Sequence, residues 1–187
     1  MRDFPVLETS RLVLRQLAAS DFDALLAIHS DAEHMKWCGT DLPVAANETK
    51  QLVEIFESWL TLPAHSGTRW ALDLRGQQGI IGTCGLFAWN RPWKCCLIGF
   101  EISSTHARRG LMSEALAAIT EWGFQTMALN RIGAQVYARN AAANALLAKF
   151  GFKREGVLRE IGYWCGAHHD LEQYSLLKSE WNRASAV

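Results

Sequence analysis

A basic turn between a strand and a helix is the feature of this sequence that points most clearly to chemistry. Residues 97–115 read LIGFEISSTHARRGLMSEA, with a strand expected to end near Ser103 and a helix to begin near Gly110. A helix N-terminus offers unpaired N–H groups and the positive end of a dipole, which suit a phosphate. Arg108 and Arg109 add charge that can pair with phosphate oxygens. The spacing fits a pyrophosphate-binding turn and an ordinary connection with solvated arginines equally well.

The common nucleotide-binding motifs are missing from the sequence. It has neither GxxxxGKS/T nor a GxGxxG after a predicted strand, the glycine-rich patterns of P-loop and dinucleotide-binding proteins. A phosphate site at the basic turn therefore points away from ATP hydrolysis and dinucleotide redox chemistry.

Cysteines and histidines near the end of the chain raise the alternative of a zinc site. Cys165 and His168 have the spacing C-x-x-H and are followed by His169. Structural zinc usually takes ligands in two pairs, whereas Cys95 and Cys96 are adjacent and point to opposite faces of a strand. We therefore expect no metal. The two histidines belong either to a closing hairpin near the substrate entrance or to a solvated turn.

Charge and composition exclude several classes of function. The 187 residues include 19 Lys and Arg against 19 Asp and Glu, and a net charge near zero argues against a general binder of nucleic acid or membrane surfaces. The five cysteines form no framework of a small secreted domain. Neither a signal peptide nor an apolar run of about 18 residues is visible. We expect a cytoplasmic protein with no nucleic-acid or membrane partner.

The elements around the basic turn follow from hydrophobic periodicity and turn residues. Helices are predicted after Ser20 and Asp21, at 47–60 with Pro63 and Gly67 ending it, at 110–126 and at 141–150. No linker or repeat divides residues 1–187, so we expect a single domain. A meander followed by a βαβ unit predicts a mixed sheet with helices on its faces. Strands are predicted at 11–17, 69–74, 80–89, 95–103, 132–138, 152–161 and 172–177.

Four stretches of the chain carry a joint resemblance. Residues 8–15 read ETSRLVLR, residues 98–102 (IGFEI) lead into 109–115 (RGLMSEA), residues 140–152 read NAAANALLAKFGF, and residues 169–181 contain HD, YSLL and a final Trp. In this order they resemble the GNAT superfamily of N-acetyltransferases, and within it the ribosomal-protein alanine N-acetyltransferase (RimJ/RimL-like) type. The likeness covers nearly the whole chain.

The resemblance implies a fold and a cosubstrate. The fold is α/β (α+β), with a mixed, mostly antiparallel seven-stranded sheet, helices on both faces and a splayed central strand pair. The cosubstrate is acetyl-CoA, with its pyrophosphate on the backbone amides of residues 108–113 and its pantetheine arm between the splayed strands. The acetyl end would meet the backbone at Ile102. The implied binding residues are Ile102, Arg108, Arg109, Gly110, Leu111, Met112, Ser113 and Asn140.

The turn departs from the usual pattern of the superfamily, Gln/Arg-x-x-Gly-x-Gly/Ala. Those positions are Ala107, Gly110 and Met112 here. The central glycine remains, while a long side chain stands at the last position. We expect CoA binding to persist because the backbone amides remain.

A second departure concerns the acid that protonates the leaving sulfur. Many members of the superfamily carry a Tyr seven residues after the Asn, where this chain has Leu147. Thiols ionise near pH 8.5, so a thiolate is a tolerable leaving group, and positioning can contribute about 7–11 kcal/mol. Tyr137 and Tyr163 are alternative acids.

Glu101 is the predicted catalytic residue. The attacking amine must be neutral, which at neutral pH costs roughly 4 kcal/mol for a Lys side chain and about 1 kcal/mol for an α-amine. Glu101 lies on the strand that enters the turn and could act as base directly or through water. The alternative is a surface glutamate paired with an arginine.

The expected reaction is acetyl transfer to a primary amine, with a protein N-terminal α-amine as first choice. A small amine (polyamine, amino acid or antibiotic) is the second choice, and a catalytically weak CoA-binding module is the third. The first two helices and their connection would cover the acceptor, with Trp37 either lining a pocket or packed in the core. The sequence leaves the oligomeric state open, a homodimer included.

Overall fold

An eight-stranded sheet is the centre of the fold in the computed structural model, which describes residues 4–39, 41, 46–58 and 67–181. Among the helices in these parts of the chain, none is both long and apolar enough to span a membrane. The helices are α1 (Phe22–His29), α2 (Ala32–Met35), α3 (Ala46–Ser58), α4 (Leu111–Gln125) and α5 (Ala141–Lys149). The strands are β1 (Leu7–Glu8), β2 (Leu12–Gln16), β3 (Gly67–Leu74), β4 (Ile80–Asn90), β5 (Cys95–Ile102), β6 (Arg131–Tyr137), β7 (Lys153–Trp164) and β8 (Ala167–Leu177).

The strand order is β1-β2-β3-β4-β5-β6-β8-β7. Neighbouring strands are antiparallel except β5 and β6, which confirms the predicted mixed, mostly antiparallel sheet. The predicted number of seven strands is one short, because β1 has only two residues, Leu7 and Glu8, paired with β2. Two residues are too few for an alternating pattern to be recognised in a sequence.

The closing hairpin is longer than predicted. β7 continues to Trp164 and β8 starts at Ala167. The chain reverses at Cys165 and Gly166, which both have positive φ (51° and 71°). Most side chains of β7 are exposed, so this strand lacks the apolar alternation that identifies a half-buried strand.

The predicted second helix corresponds to α3. Pro63, which was expected to end it, lies outside the described residues. Gly67, expected to end it as well, is instead the first residue of β3. The short helix α2 is not predicted, since four residues hold no helical period.

The central strands β5 and β6 separate as predicted. They pair at three positions, from Cys95 with Arg131 to Leu97 with Gly133. A Cβ on Gly133 would lie 2.9 Å from the Leu97 side chain, so glycine allows the close approach at the last paired position. Beyond it, residues 98–102 pair only with β4 and residues 134–137 only with β8. A gap therefore opens in the middle of the sheet.

Helices cover both faces of the sheet, as predicted. Neighbouring residues of β3 point to opposite faces and pack against different helices. Trp70 packs into the core cluster that contains Leu116 and Ile119 of α4. Ala71 packs against the other cluster, with Leu25 of α1 and Val53 of α3. Burial of one such large side chain stabilises the fold by roughly 1.5–3 kcal/mol. The two layers hold the gap between β5 and β6 in place.

Candidate active site

A cavity of about 1150 Å³ occupies the gap between β5 and β6. One end is formed by the turn before α4 and the start of α5, including Gly110 and Asn140. The other end reaches Trp37, Arg69 and Glu101. We call these the CoA end and the acceptor end. The volume is slightly above the range of about 300–1,000 Å³ for ligand pockets, which leaves room for an elongated cosubstrate and a second substrate.

The turn at the CoA end is built from two left-handed residues. Arg108 has φ 61° and Gly110 has φ 75°, and Gly110 is the N-cap of α4. The backbone thereby reverses at the start of a 15-residue helix, and residues 110–113, whose N–H groups lack partners within the helix, border the cavity. Of the described residues predicted to bind CoA, Arg109 is the one that does not line the cavity.

Met112 leaves the turn open despite its length. The residue borders the cavity, yet its side chain is buried in the core cluster between the sheet and α4. The long side chain at the position of the usual small residue is therefore accommodated by the core. The backbone amides of the turn remain available to an anion.

Glu114, in the first turn of α4, ties this turn to the segment that precedes β2. Its carboxylate accepts hydrogen bonds from Thr9 Oγ1, from Ser10 Oγ (3.1 Å), and from both the backbone N (2.7 Å) and Nε (2.7 Å) of Arg11. Arg11 also donates through Nη1 to the carbonyl of Arg109 at 2.9 Å. We call Thr9, Ser10, Arg11 and Glu114 the Glu114 clamp.

The hydrogen bonds of the clamp keep Glu114 ionised. Partial burial raises the pKa of the Glu114 carboxyl, but the bonds from Thr9 and Arg11 outweigh it and lower the pKa to about 2. The clamp joins two of the sequence stretches that carry the family resemblance, residues 8–15 and 109–115.

Glu101 lies at the acceptor end in a polar network. Its carboxylate accepts from Thr83 Oγ1 at 2.7 Å, contacts Arg69 Nη2 at 3.4 Å, and lies 3.1 Å from His29 Nε2. Arg69 Nε donates to Thr83 Oγ1 at 2.8 Å, and His29 Nδ1 lies 3.3 Å from Thr49 Oγ1. We call His29, Arg69, Thr83 and Glu101 the Glu101 network. The glutamate is paired with an arginine, as the alternative interpretation has it, but it is 9% exposed and borders the cavity.

The network makes Glu101 a fixed negative charge. Burial by itself raises the pKa of a carboxyl group, but the hydrogen bond from His29 and the charge of Arg69 outweigh burial and lower the pKa of Glu101 to about 2. At neutral pH the cavity therefore has a carboxylate at its acceptor end.

Three aromatic residues, Trp37, Tyr137 and Trp164, form a wall at the acceptor end. The ring of Tyr137 lies 6.2 Å from Trp37 and 5.4 Å from Trp164, between ring centroids. His169 stacks on Trp164 at 3.8 Å. A Cβ on Gly162 would lie 2.3 Å from the Trp164 ring, so only glycine lets the indole cover this backbone. We call the three residues the aromatic wall.

The wall decides two alternatives left by the sequence. Trp37 lines the cavity instead of packing wholly in the core. His169 stacks on Trp164 of the wall, whereas His168 is exposed and its ring lies 4.9 Å from that of Tyr163. Both histidines lie in β8 and not in a turn. Within the described ranges, no group of three or more His, Cys, Asp or Glu side chains could hold a metal ion.

Asn140 begins α5 at the CoA end. Its Oδ1 accepts from Ala143 N at 3.1 Å and caps the helix, and the residue borders the cavity. Leu147, at the position of the usual tyrosine, is fully buried in the core. Of the two alternative acids, Tyr137 lines the cavity, while Tyr163 is 63% exposed.

Sequence reasoning missed the partners of Glu101. Thr83 lies directly opposite Glu101 in the β4–β5 register, and Arg69 lies on the next strand. A polar residue inside the apolar run of β4 (IIGTCGLF) and an arginine near the start of apolar β3 were the available signals. His29 had no signal, because it reaches Glu101 from a helix on the face of the sheet.

Known proteins share this sequence and architecture. Residues 11–153 match the family described as acetyltransferase (GNAT) domain. The uncharacterized N-acetyltransferase YoaA of Bacillus subtilis (strain 168) is 35% identical over 94% of this chain and 98% of its own length. The [ribosomal protein uS5]-alanine N-acetyltransferase of Escherichia coli (strain K12) is 30% identical over 46% of this chain and 44% of its own. RimJ of Mycobacterium smegmatis, solved in complex with CoA-disulfide, has the same fold (TM-score 0.83, 22% identity, 98% of this chain and 90% of that one).

Proposed function

This chain belongs to the GNAT family of acetyltransferases, and on that premise we propose that it moves the acetyl group of acetyl-CoA to the N-terminal α-amine of a protein. Acyl-CoA-dependent N-acetyl transfer is the activity of the family. The partial match to the uS5-alanine enzyme of E. coli supports a ribosomal protein as acceptor, which would place the reaction in the cytoplasm. The observation that carries the proposal is the Glu101 carboxylate at one end of a cavity whose other end is a basic turn at the N-terminus of α4.

Acetyl-CoA is proposed to lie along the gap between β5 and β6. Residues 108–113 would hold the pyrophosphate through backbone N–H groups, and the Asn140 amide would donate to the pantetheine arm. Ser103 N donates to Ile81 O at 2.8 Å, and hydrogen bonding alternates along an antiparallel ladder. The backbone N–H and C=O groups of Phe100 and Ile102 therefore face the gap, because β5 no longer pairs with β6 beyond Leu97. This open edge suits the amide groups of pantetheine. The thioester bound there supplies the acetyl group.

Glu101 is proposed to hold and orient the attacking amine. Direct transfer of a proton from an α-ammonium of pKa near 8 to a carboxylate of pKa about 2 is unfavourable by roughly 8 kcal/mol. Glu101 therefore accepts a hydrogen bond from the amine or from a water between them, and the proton leaves through water. Such a weak base suits an acceptor that is cheap to deprotonate, which favours an α-amine over a Lys side chain.

Tyr137 is proposed to stand in for the tyrosine that Leu147 replaces. It borders the cavity between the two other rings of the aromatic wall, and its hydroxyl can donate to the leaving sulfur. Since thiols ionise near pH 8.5, this contribution is small beside positioning of the two substrates.

A small cationic amine is the second candidate acceptor. Asp31 and Glu33 border the cavity near its acceptor end, although Glu33 forms an ion pair with Lys36. Carboxylates at an entrance raise the local concentration of cations, and polyamines carry several positive charges.

The test is release of free CoA thiol from acetyl-CoA with a panel of acceptors. The panel contains peptides that begin with Ala, Ser or Met, the same peptides with a blocked N-terminus and a free Lys, spermidine, and an aminoglycoside. We expect turnover only with a free α-amine. The blocked peptides are the matched control, because they keep every other contact.

Each other result overturns the acceptor assignment. Turnover of the blocked peptides makes the enzyme a lysine acetyltransferase, and turnover of spermidine or the aminoglycoside alone makes it a small-amine enzyme. If no amine reacts while acetyl-CoA still raises the melting temperature, the chain is a CoA-binding module.

A further inference from the structure

The Glu114 clamp lies behind the turn and does not reach the reacting groups. Among the described residues that line the cavity, Glu114 and Thr9 are absent, whereas residues 110–113 are present. The first backbone hydrogen bond of α4 runs from Glu114 N to Gly110 O at 3.1 Å. The clamp thus acts on the turn from outside the cavity.

Glu114 would oppose an anion at this turn if it were unpaired. A carboxylate one helical turn from an anion-binding N-terminus repels the anion through a short distance. Arg11 offsets that charge by donating to both carboxylate oxygens, with its backbone N to one and its Nε to the other. The remaining guanidinium nitrogens point toward the turn, since Arg11 Nη2 lies 3.5 Å from the position that a Cβ would take on Gly110.

The clamp also holds the backbone of the turn. Arg109 lies between two residues with positive φ, Arg108 and Gly110. For a residue other than glycine this conformation costs roughly 1–2 kcal/mol, so Arg108 needs support from its surroundings. The bond from Arg11 Nη1 to the Arg109 carbonyl at 2.9 Å provides it.

We propose that the Glu114 clamp is a positioning device for the diphosphate of the acyl donor, built from the segment before β2 and the first turn of α4. It keeps residues 108–110 in the conformation that presents backbone N–H groups to the diphosphate, and it acts on that end of the donor alone. The inference rests on the proposed position of CoA in the gap.

The experiment compares two donors within one variant. Acetyl-CoA carries the diphosphate, whereas S-acetylpantetheine carries the same thioester and arm without it. For Glu114→Gln we expect the KM for acetyl-CoA to rise about tenfold with kcat unchanged, because loss of the hydrogen bonds to the charged carboxylate outweighs the removal of its repulsion of the diphosphate. The kcat/KM for S-acetylpantetheine stays at the value of the unmodified protein. A ratio taken within one variant does not depend on the fraction of protein folded.

Glu155→Gln is the matched control. Glu155 accepts from both Arg131 Nη atoms and from Ser175 Oγ, but it lies on β7, at the far edge of the sheet from the clamp. This variant leaves the ratio between the two donors unchanged.

Two results overturn the clamp proposal. One is an equal loss with both donors in Glu114→Gln, which indicates a general structural role. The other is a KM for acetyl-CoA that is unchanged or lower, which indicates that the clamp does not support the turn. Failure of the unmodified protein to use acetyl-CoA with any amine contradicts the proposed function instead, so the two failures are distinct.

Discussion

Glu101 borders the acceptor end of the cavity, Glu114 lies behind the turn that forms its CoA end, and each has a pKa lowered to about 2. Glu101 is held by side chains from separate elements, namely α1, β3 and β4, and is 9% exposed. Glu114 is held by three consecutive residues of one segment, and a backbone N–H is among its donors. The first arrangement requires the sheet and a helix to be assembled, whereas the second requires only one segment to dock on α4.

The two carboxylates also differ in what their charge can reach. Glu101 borders the cavity, so part of its charge is open to a substrate amine. Glu114 lies behind the turn, where Arg11 and two hydroxyls occupy its oxygens. A strongly lowered pKa therefore marks a tightly bonded carboxylate, and access to the cavity separates the group that faces substrate from the group that holds backbone.

The largest expected effect is that of Glu101→Gln. Loss of the charge that orients the amine should lower kcat by roughly 10²-fold, the cost of misplacing a reacting group by about 1 Å, while acetyl-CoA binds as before. Steady-state kinetics together with calorimetric titration of CoA measure both quantities. If Glu101→Gln instead weakens CoA binding and leaves kcat unchanged, it behaves as we expect of Glu114→Gln. The two carboxylates would then not differ in function.

Gly162→Ala should affect the acceptor end alone, and more moderately. The new Cβ would overlap the Trp164 ring at 2.3 Å, so the indole must move and the aromatic wall shifts. Overpacking of this kind costs about 1–3 kcal/mol. We expect the KM for the acceptor to rise about tenfold and the KM for acetyl-CoA to stay constant. A parallel rise of both KM values would show that the two ends are not independent.

The smallest effect is expected in acid, for the free energy of unfolding. Both carboxyls have folded pKa values below the ordinary 4.5, so their stabilisation is complete above pH 4.5 and is lost as the pH falls toward 2. Urea unfolding between pH 7 and 3 should show this loss, and Glu101→Gln should reduce the pH dependence of the free energy of unfolding. Glu155→Gln should reduce it less, because Glu155 is 41% exposed and its ion pair is screened by solvent. If both variants reduce this pH dependence equally, burial of the carboxylate does not determine how much it stabilises the fold.

The elements were predictable where one face of a strand or helix is buried. β2, β5 and α4 lie close to their predicted bounds, because the apolar period follows the buried face. β4 was predictable from a largely apolar run instead, because its first seven residues are all buried. Prediction failed for β1, which is too short, and for the closing hairpin, whose exposed side chains carry no period. The extra length of that hairpin matters for the site, because it brings Gly162 and Trp164 to the cavity.

The partners of the two glutamates were not predictable. Glu101 itself was predicted from its place on the strand that enters the basic turn, and Thr83 pairs with it only in the observed register. A shift of one residue would turn Thr83 to the other face of the sheet. The Glu114 clamp lies within two stretches recognised in the sequence, but the residues of neither stretch indicate that the two are in contact.

The sequence alone determined features that depend on single residues or on residues close together in the chain. The strand, the basic turn, Gly110 and the start of α4 are neighbours in sequence, and backbone physics makes such a junction an anion site. The contacts that give the site its charges were set by packing. His29 and Glu101 are 72 residues apart, and Arg11 and Glu114 are 103 apart. Contacts over such separations depend on strand register and on the docking of helices, which are properties of the whole sheet and not of any segment.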